Sequence, residues 1–388
     1  MRPPTPRSRL AVAATAIGVA VVASGCGEQP AGRIGAAACT QTVHTELRSV
    51  AVRVYDEAAR GPNLVNSETR LERSRALAAA VAHDDAAATN AALRPLLRAQ
   101  IQRVVITHGR RVLADVGSGA ALAPANGVIR DRAGAAVGRY TLSVGADSGI
   151  AHLIRALTGA EVVMSTGGHS VATTVASAHA PPAGFAVSTF DATAFPAGAL
   201  RVAVLSPTPS RTLCGPTRAA TVANTIGAIG ERLFRDEAHG AATARVLRIV
   251  AADRGFGRAV ATADPAALRA AIVRFFRDPS LHVVRIRAVT ATGTLVNDVG
   301  GPFVLAPASA PVSANGRVVG RVTLAIQDDL GYIKLTNRFT GAAVIVKTPA
   351  GPMPGSMLPA PGSAPGQVVT FTVQAFPSGP LQISLLIP

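Results

Sequence analysis

The side chains best suited to bind a ligand are arginines and aspartates in the C-terminal half of the chain. Arg285 and Arg287 alternate along one predicted strand, and Asp298 ends the next. A guanidinium group clamps a carboxylate through two parallel hydrogen bonds, and an aspartate binds an amine. Such groups in an apolar concavity predict a site for a small charged molecule. The other candidates follow a predicted central strand in either half of the chain: Asp147, Asp328, Asp329 and Tyr332.

Each of these residues also has a structural interpretation. Arginines that alternate along a strand can face solvent, and an aspartate just before a helix can cap its free amide groups. Asp298 precedes a valine and a glycine, which is equally typical of a turn. Asp147 and Asp329 are the best ligand candidates, because both halves of the chain keep an aspartate at this point.

The sequence lacks the common signatures of catalysis and metal binding. It contains no GxSxG elbow, no Walker loop and no HExxH pair, and its eight histidines are scattered without ligand spacing. The glycine-rich segment 165–169 falls in a predicted loop. We therefore expect a protein that is not an enzyme and that binds neither a metal nor a cofactor.

Arginine supplies nearly all of the positive charge. Lysine and arginine together number 38 against 22 acids, a formal net charge of +16, and Lys334 and Lys347 are the only lysines. The arginines are spread along the chain, with no basic tail and no run interleaved with aromatic residues. This pattern argues against nucleic acid as a partner and fits a solvated surface with biased codon usage. Anionic wall polymers and lipid headgroups remain open as nonspecific neighbours.

The N-terminus has the pattern of an export signal. Three arginines within the first nine residues precede an apolar run at 10–23, which is too short to span a membrane comfortably. Small residues then precede Cys26, which resembles the lipobox of bacterial lipoproteins. That resemblance implies a signal peptide at 1–25, lipidation of Cys26 and a location on the outer face of the cell membrane. The alternative is ordinary cleavage nearby, with a free thiol at Cys26.

Two cysteines remain after Cys26. Cys39 and Cys214 each lie just ahead of a predicted long helix. In an oxidising compartment they could form a disulfide that ties the entrances of two domains together. The alternative is two unrelated thiols.

The chain is an internal duplication. Asp115-Val-Gly returns as Asp298-Val-Gly, at an offset of 298 − 115 = 183. Further matches follow in the same order, and the offset drifts only slightly, as small loop insertions would cause. These matches are Val137-Gly138-Arg139 with Val319-Gly320-Arg321, Thr158-Gly159-Ala160 with Thr340-Gly341-Ala342, and Phe195-Pro196 with Phe376-Pro377.

Both copies have the same predicted order of elements. A long helix opens each copy, at 42–59 and at 221–238, because apolar residues recur there at helical spacing. Asp264 and Pro265 start a shorter helix before the sheet. Antiparallel strands with one helical crossing then predict an α+β domain. In the second copy we expect strands at 283–290, 294–298, 317–326, 343–347, 367–375 and 381–387, a helix at 330–339, and a Gly/Pro/Ala-rich connection before residue 317.

One stretch of the second copy suggests a family. Gly316 to Gly320, leading through Leu324-Ala325-Ile326 to Asp328-Asp329, resembles the Cache family of PAS-like extracellular sensor domains. The first copy has a shorter version from Gly134 to Asp147. The resemblance implies two tandem Cache-like domains, each a long N-terminal helix plus a roughly five-stranded antiparallel sheet. The expected boundaries are a linker at 26–39, domain 1 at 40–210 and domain 2 at 211–388.

The same resemblance implies a function. Cache domains bind small extracellular molecules between the sheet and a helical or loop cover, so we expect a lipid-anchored, extracytoplasmic, sensory protein for a carboxylate or an amine. It would act through a membrane sensor or transporter, since the chain shows no signalling module of its own. The alternative is a non-catalytic structural or protein-interaction module of the cell envelope. A core filled by large residues would favour that alternative, and a polar-lined cavity would favour a receptor.

Overall fold

The computed structural model describes most of the chain after its first 33 residues. The described residues are 34–97, 101–117, 121–175, 184–196, 198–301, 304–326, 329–349, 351–357, 366–376 and 379–387. The predicted signal peptide, Cys26 and Asp328 lie outside them, as does the side chain of Asp329.

The four helices whose positions the sequence predicts are all present. The described helices are α1 (Ala36–Arg60), α2 (Pro62–Glu72), α3 (Arg75–Ala82), α4 (Ala86–Leu93), α5 (Asp147–Thr158), α6 (Arg218–His239), α7 (Ala241–Ala252), α8 (Arg254–Ala261), α9 (Pro265–Arg277) and α10 (Asp329–Thr340). The two predicted entry helices are α1 and α6. Asp264 caps α9, because its carboxylate accepts the amides of Ala266 and Ala267 at 2.9 and 3.0 Å.

The strands recur in the same order in both copies, except that β6 has no counterpart among the described strands of the second copy. In the first copy they are β1 (Arg103–His108), β2 (Arg111–Gly117), β3 (Ala121–Leu122), β4 (Ala125–Arg130), β5 (Ala136–Ser143), β6 (Gly145–Ala146), β7 (Glu161–Thr166), β8 (His169–Thr173), β9 (Phe185–Ala194) and β10 (Gly198–Pro207). In the second they are β11 (Arg285–Thr290), β12 (Leu295–Gly300), β13 (Val304–Leu305), β14 (Ala308–Ala314), β15 (Arg317–Ala325), β16 (Ala343–Thr348), β17 (Gly351–Pro352), β18 (Gln367–Phe376) and β19 (Gly379–Ile387).

Each copy forms two antiparallel sheets from these described strands. The smaller sheets have the orders β2-β1-β5-β4 and β12-β11-β15-β14. The larger sheets have the orders β6-β3-β9-β10-β7-β8 and β13-β18-β19-β16-β17. The α+β class is therefore confirmed, whereas the prediction of a single, roughly five-stranded sheet per copy is wrong.

The second copy shows why the extra sheet is hard to predict. Its edge strand β14 occupies the segment expected to be an irregular connection. Ala308 and Val312 point into the core, but alanine, serine and Pro311 dilute the alternation that marks a strand. Proline is tolerated here because β14 pairs only with β15, at the edge of its sheet.

The strand registers confirm the duplication. Val104 of β1 pairs with Leu142 of β5, and Ile286 of β11 pairs with Leu324 of β15. Even the irregularities recur. The β1–β2 register shifts after Ile106, and the β11–β12 register shifts after the equivalent residue, Ala288.

The entry helices of the two copies begin beside each other. Cys39, in the first turn of α1, is fully buried and forms a disulfide with Cys214, which lies just before α6. The two Cα atoms are 5.5 Å apart. The amide of Ile34 donates to the carbonyl of Pro216 at 3.2 Å. From this point α1 and α6 pack against each other.

Each entry helix also contacts the opposite copy. Arg53 of α1 donates to the carbonyl of Phe339 near the end of α10 at 3.4 Å. Arg232 of α6, the equivalent residue (232 − 53 = 179), donates to the carbonyl of Thr158 at the end of α5 at 2.6 Å. The last carbonyls of a helix lack intrahelical partners, so an arginine there satisfies them and complements the helix dipole. The two copies thus exchange equivalent contacts, as two halves related by an approximate two-fold axis would.

One hydrophobic core joins the larger sheets of both copies. It contains Val50 of α1, Ile226 of α6, Val202 of β10, Ile383 of β19 and Tyr332 of α10. The predicted domains at 40–210 and 211–388 therefore share buried surface where they meet.

Each smaller sheet has a separate core of its own. In the first copy it is built around Leu77 and Leu142, and in the second around Phe256, Ile272 and Leu324, all fully buried. Large apolar side chains thus fill the space between each smaller sheet and its helices.

Candidate functional site

Arg285 and Asp298 lie together on the smaller sheet of the second copy, and they bind each other. Nε and Nη2 of Arg285 donate to the two carboxylate oxygens of Asp298, each at 2.8 Å. Nη1 of Arg285 also contacts the carbonyl of Gly301. The two side chains are only 12% and 17% exposed. A ligand carboxylate would have to displace Asp298 to reach this guanidinium group.

Phe376 of the larger sheet packs against both candidate arginines. Its ring centroid lies 5.1 Å from the guanidinium carbon of Arg285 and 5.6 Å from that of Arg287. A guanidinium group is attracted to the face of an aromatic ring. Because Phe376 belongs to β18 and the arginines to β11, this contact connects the two sheets of the copy.

The first copy repeats this arrangement. Arg103 donates to the two carboxylate oxygens of Asp115 at 3.0 and 2.7 Å, and it lies 4.9 Å from the ring centroid of Phe195. The hydrogen bond from Arg103 holds the pKa of Asp115 below its ordinary value. We call each Arg–Asp–Phe trio, 103–115–195 and 285–298–376, the sheet-junction cluster. Its recurrence favours a role in positioning the two sheets.

The glycine of the repeated Asp-Val-Gly motif packs beside the arginine of each sheet-junction cluster. Gly117 and Gly300 have φ angles of +121° and +141°. A Cβ atom on Gly300 would lie 2.3 Å from the carbonyl oxygen of Val284 and 2.5 Å from Cα of Arg285. The motif is thus explained by close packing beside the arginine, without any ligand.

Tyr332 lies in the shared core. Its side chain is 1% exposed, its hydroxyl donates to the carbonyl of Gly230 at 3.0 Å, and its ring meets Phe234 edge-on. Burial raises the pKa of Tyr332. The ligand-binding role of Tyr332 remains a prediction. The burial of its side chain in the shared core argues against that role.

The aspartates after the central strands are tested only in the first copy. Asp147 is the first residue of α5, and its Oδ1 accepts the amide of Ser148 at 2.6 Å. The N-cap residue of α5 is Ala146, which has no side-chain cap, so the interpretation of Asp147 as a capping residue is wrong. Its carboxylate lies in the first turn, where it complements the helix dipole. For Asp328 and the side chain of Asp329, the ligand role remains a prediction.

Clefts open between the helices that cover the smaller sheets. One of about 450 Å³ lies between α3 and α4, and one of about 860 Å³ lies between α8 and α9. Equivalent positions of the two copies line these clefts. Ala79 and Asp85 of the first cleft correspond to Arg258 and Asp264 of the second. Alanines line most of the first cleft, whereas Arg258 and Arg274 add positive charge to the second.

A third cleft, in the first copy, was not foreseen from the sequence. About 510 Å³ in volume, it lies between the corner that joins α2 to α3 and the hairpin that joins β4 to β5. Four arginines line it: Arg73, Arg75, Arg130 and Arg132. Two short arginine clusters, at 70–75 and 130–132, are the only sequence signal, and they are indistinct among so many arginines.

A tyrosine and two glutamates lie beside this third cleft. Tyr140 is 2% exposed, and its hydroxyl donates to Glu72 at 2.8 Å and more weakly to Glu68 at 3.5 Å. Burial and the neighbouring charge of Glu72 raise the pKa of Glu68. Burial and these two carboxylates also raise the pKa of Tyr140, so its hydroxyl remains a donor.

The described residues also bear on metal binding and on membrane spanning. Among them, no cluster of three histidine, cysteine or acidic side chains is placed to bind a metal ion. In the same part of the chain, no helix combines the length and apolar character needed to cross a membrane.

Comparison with known proteins adds a weak structural likeness. No family model matches the chain, and no curated protein matches it. Among solved structures, the periplasmic domain of LuxQ from Vibrio cholerae aligns with 44% of this chain and 94% of its own, at 10% identity and a TM-score of 0.26. A TM-score of that size establishes neither a shared fold nor a shared function.

Proposed function

We propose that the chain is an exported, lipid-anchored protein that binds a small extracellular molecule and reports its presence to a membrane partner. The observation that carries the proposal is the exchange of equivalent contacts between the copies, from Arg53 to α10 and from Arg232 to α5, across one shared core. Contacts of this kind give a physical route by which ligand binding in one copy would alter the other.

The disulfide supports the extracytoplasmic part of the proposal. Disulfides persist in oxidising compartments and are rare in the cytosol. Cys39 lies 39 − 26 = 13 residues after the proposed lipidated Cys26. Because α1 begins at Ala36, 36 − 26 = 10 residues separate it from Cys26, and an extended segment of that length spans at most about 36 Å. The lipid would therefore keep the start of α1 and α6 close to the membrane surface.

The filled cores limit where a ligand could bind. Fully buried side chains such as Leu142 and Leu324 occupy the inner faces of the smaller sheets. Among the described residues, three clefts open between the covering helices or between a helix corner and a hairpin, outside these inner faces. This placement differs from the position between sheet and cover that the Cache resemblance implies.

The same filled cores favour a second candidate function. An envelope module that binds another protein needs a rigid surface and no internal cavity. The paired clefts between α3 and α4 and between α8 and α9 would then be contact surfaces.

A thermal-shift screen of the exported, disulfide-bonded protein separates the two. A ligand that binds only the native state, present at 100 times its dissociation constant, adds about 2.7 kcal/mol of stability. We expect a hit among organic acids, amines, amino acids or nucleobases. No hit across the library, together with a protein captured from envelope extracts by crosslinking, would favour the interaction module. Membrane release of a Cys26→Ser variant tests the anchor separately.

A further inference from the structure

We propose that the four-arginine cleft of the first copy binds a small multivalent oxyanion, a molecule with at least two carboxylate or phosphate groups. This assignment rests on the proposed ligand-binding function and specifies its site and ligand class. The site lies at the α2–α3 corner and the β4–β5 hairpin, away from the inner face of the sheet.

The helix corner presents two of the arginines in a fixed position. Arg73 directly follows α2, and Arg75 begins α3. Between them Ser74 caps α3, because its Oγ accepts the amide of Leu77 at 3.3 Å. Leu77 is fully buried, so the corner is attached to the core of the smaller sheet.

The hairpin is also ordered by its own hydrogen bonds. Oδ1 of Asp131 accepts the amides of Ala133 at 2.9 Å and Ala135 at 2.8 Å. Arg130 donates to the carbonyl of Gly134 at 2.9 Å. Little further ordering of the backbone is then needed when a ligand binds, which favours affinity.

The positive charge of this cleft is not neutralised from within. In the described part of the chain, none of the four guanidinium groups has a carboxylate within ion-pair distance. The cleft contains two acids, and both already have donors. Asp131 closes the hairpin, and Glu72 accepts the hydroxyl of Tyr140 at 2.8 Å. Four arginines against two acids leave a formal charge of 4 − 2 = +2.

Biased codon usage does not account for the cluster, because the second copy has the same bias and lacks it. At the equivalent corner Ala252 replaces Arg73, and only Arg254 matches Arg75. On the equivalent hairpin Ser313 takes the place of Arg130 in the register, and the shorter turn has no counterpart of Arg132. The cluster is a property of one copy.

The arrangement selects ligands with several charges. A guanidinium group matches the oxygens of a carboxylate or a phosphate through two parallel hydrogen bonds. All four arginines are exposed, and one exposed ion pair contributes little in water. A ligand that bridges the corner and the hairpin engages several of them at once. A cleft of about 510 Å³ is within the usual size of small-molecule sites.

The test is calorimetric titration of the exported protein with citrate, pyrophosphate and acetate at physiological ionic strength. Two variants have the same change in net charge. One is R73Q/R75Q/R130Q/R132Q, and the control replaces four exposed arginines of the second copy, R248Q/R254Q/R269Q/R317Q. We expect citrate or pyrophosphate to bind and acetate not to bind. The cleft variant should lose at least tenfold in affinity, and the control should lose less than twofold.

The outcomes separate this assignment from the proposed function. Equal losses in both variants, or binding seen only at low ionic strength, would mean nonspecific attraction and overturn the cleft assignment. A thermal-shift hit of another class that the cleft variant leaves unchanged would preserve the proposed function and refute this site. If neither titration nor screen finds a ligand, both fail. Circular dichroism of the two variants verifies that each is folded.

Discussion

The two Arg–Asp pairs of the sheet-junction clusters are chemically the same but differ in exposure. Arg285 and Asp298 are 12% and 17% exposed, whereas Arg103 and Asp115 are 25% and 41% exposed. Solvent screens an ion pair less as exposure falls, so the pair in the second copy should interact more strongly.

Double-mutant cycles should measure this difference. With R285M and D298N, we expect a coupling energy of about 2 kcal/mol in urea unfolding, and with R103M and D115N about 0.5 kcal/mol. The first copy is the matched control for the second, since each cycle removes the same groups. Equal coupling energies would contradict the argument from exposure.

Glu68 should make stability depend on pH. Burial and Glu72 raise its pKa in the folded state, so the folded protein binds more protons than the unfolded chain between the two pKa values. The contribution of Glu68 to the free energy of unfolding therefore falls as pH rises between its unfolded-state and folded-state pKa values, and it stays low at higher pH. We expect Glu68→Gln to stabilise the protein at pH 7 by about 0.5 kcal/mol, allowing for solvent screening. Thermal melts at pH 7 and below about pH 4 verify this, because the gain should vanish at the lower pH. A gain that persists there would refute the pKa argument.

At the scale of elements, segments with a clear hydrophobic periodicity could be predicted from the sequence. Segments in which small or polar residues obscure that periodicity could not. The helices at 42–59 and 221–238 correspond to α1 and α6, because apolar residues recur on one face over many turns. Strand β14 was missed because alanine, serine and Pro311 obscure its alternation. Without it, the smaller sheet could not be recognised as separate from the larger one.

The candidate site was harder to predict for a related reason. Sequence identifies Arg285 and Asp298 as charged residues on neighbouring strands but not that they bind each other. In the strand register Asp298 lies opposite Arg287, and the ion pair forms diagonally with Arg285 instead. The arginines of the third cleft lie in two segments far apart in sequence. Only the fold brings the corner and the hairpin together.

The glycine that ends β12 should be intolerant of a side chain. A Cβ atom on Gly300 would approach the Val284 carbonyl oxygen to 2.3 Å, whereas Gly293, also at positive φ, has open space around its Cβ direction. We expect Gly300→Ala to destabilise the protein by about 3 kcal/mol and Gly293→Ala by about 1 kcal/mol, the cost of backbone strain alone. Urea unfolding of both variants measures this. Similar losses would show that strain, and not the close approach to β11, explains the glycine.

At the scale of the whole molecule, the duplication forms one unit. The disulfide, the paired entry helices and the exchanged arginine contacts all cross between the copies. Val50 and Ile226, on α1 and α6, belong to a single core. The two repeats therefore depend on each other for burial.

Producing the two repeats as separate chains tests that dependence. Residues 34–210 and 211–388 should each associate or aggregate when made alone, because separation exposes the apolar faces of α1 and α6 to water. Made together under oxidising conditions, they should form a one-to-one complex joined by Cys39 and Cys214, measurable by light scattering after size exclusion. A C39S/C214S pair is the control, and it should still associate through the core. If the two halves are instead stable, folded monomers that do not associate, the shared core contributes little to the stability of the protein. Communication between the copies would then need another route.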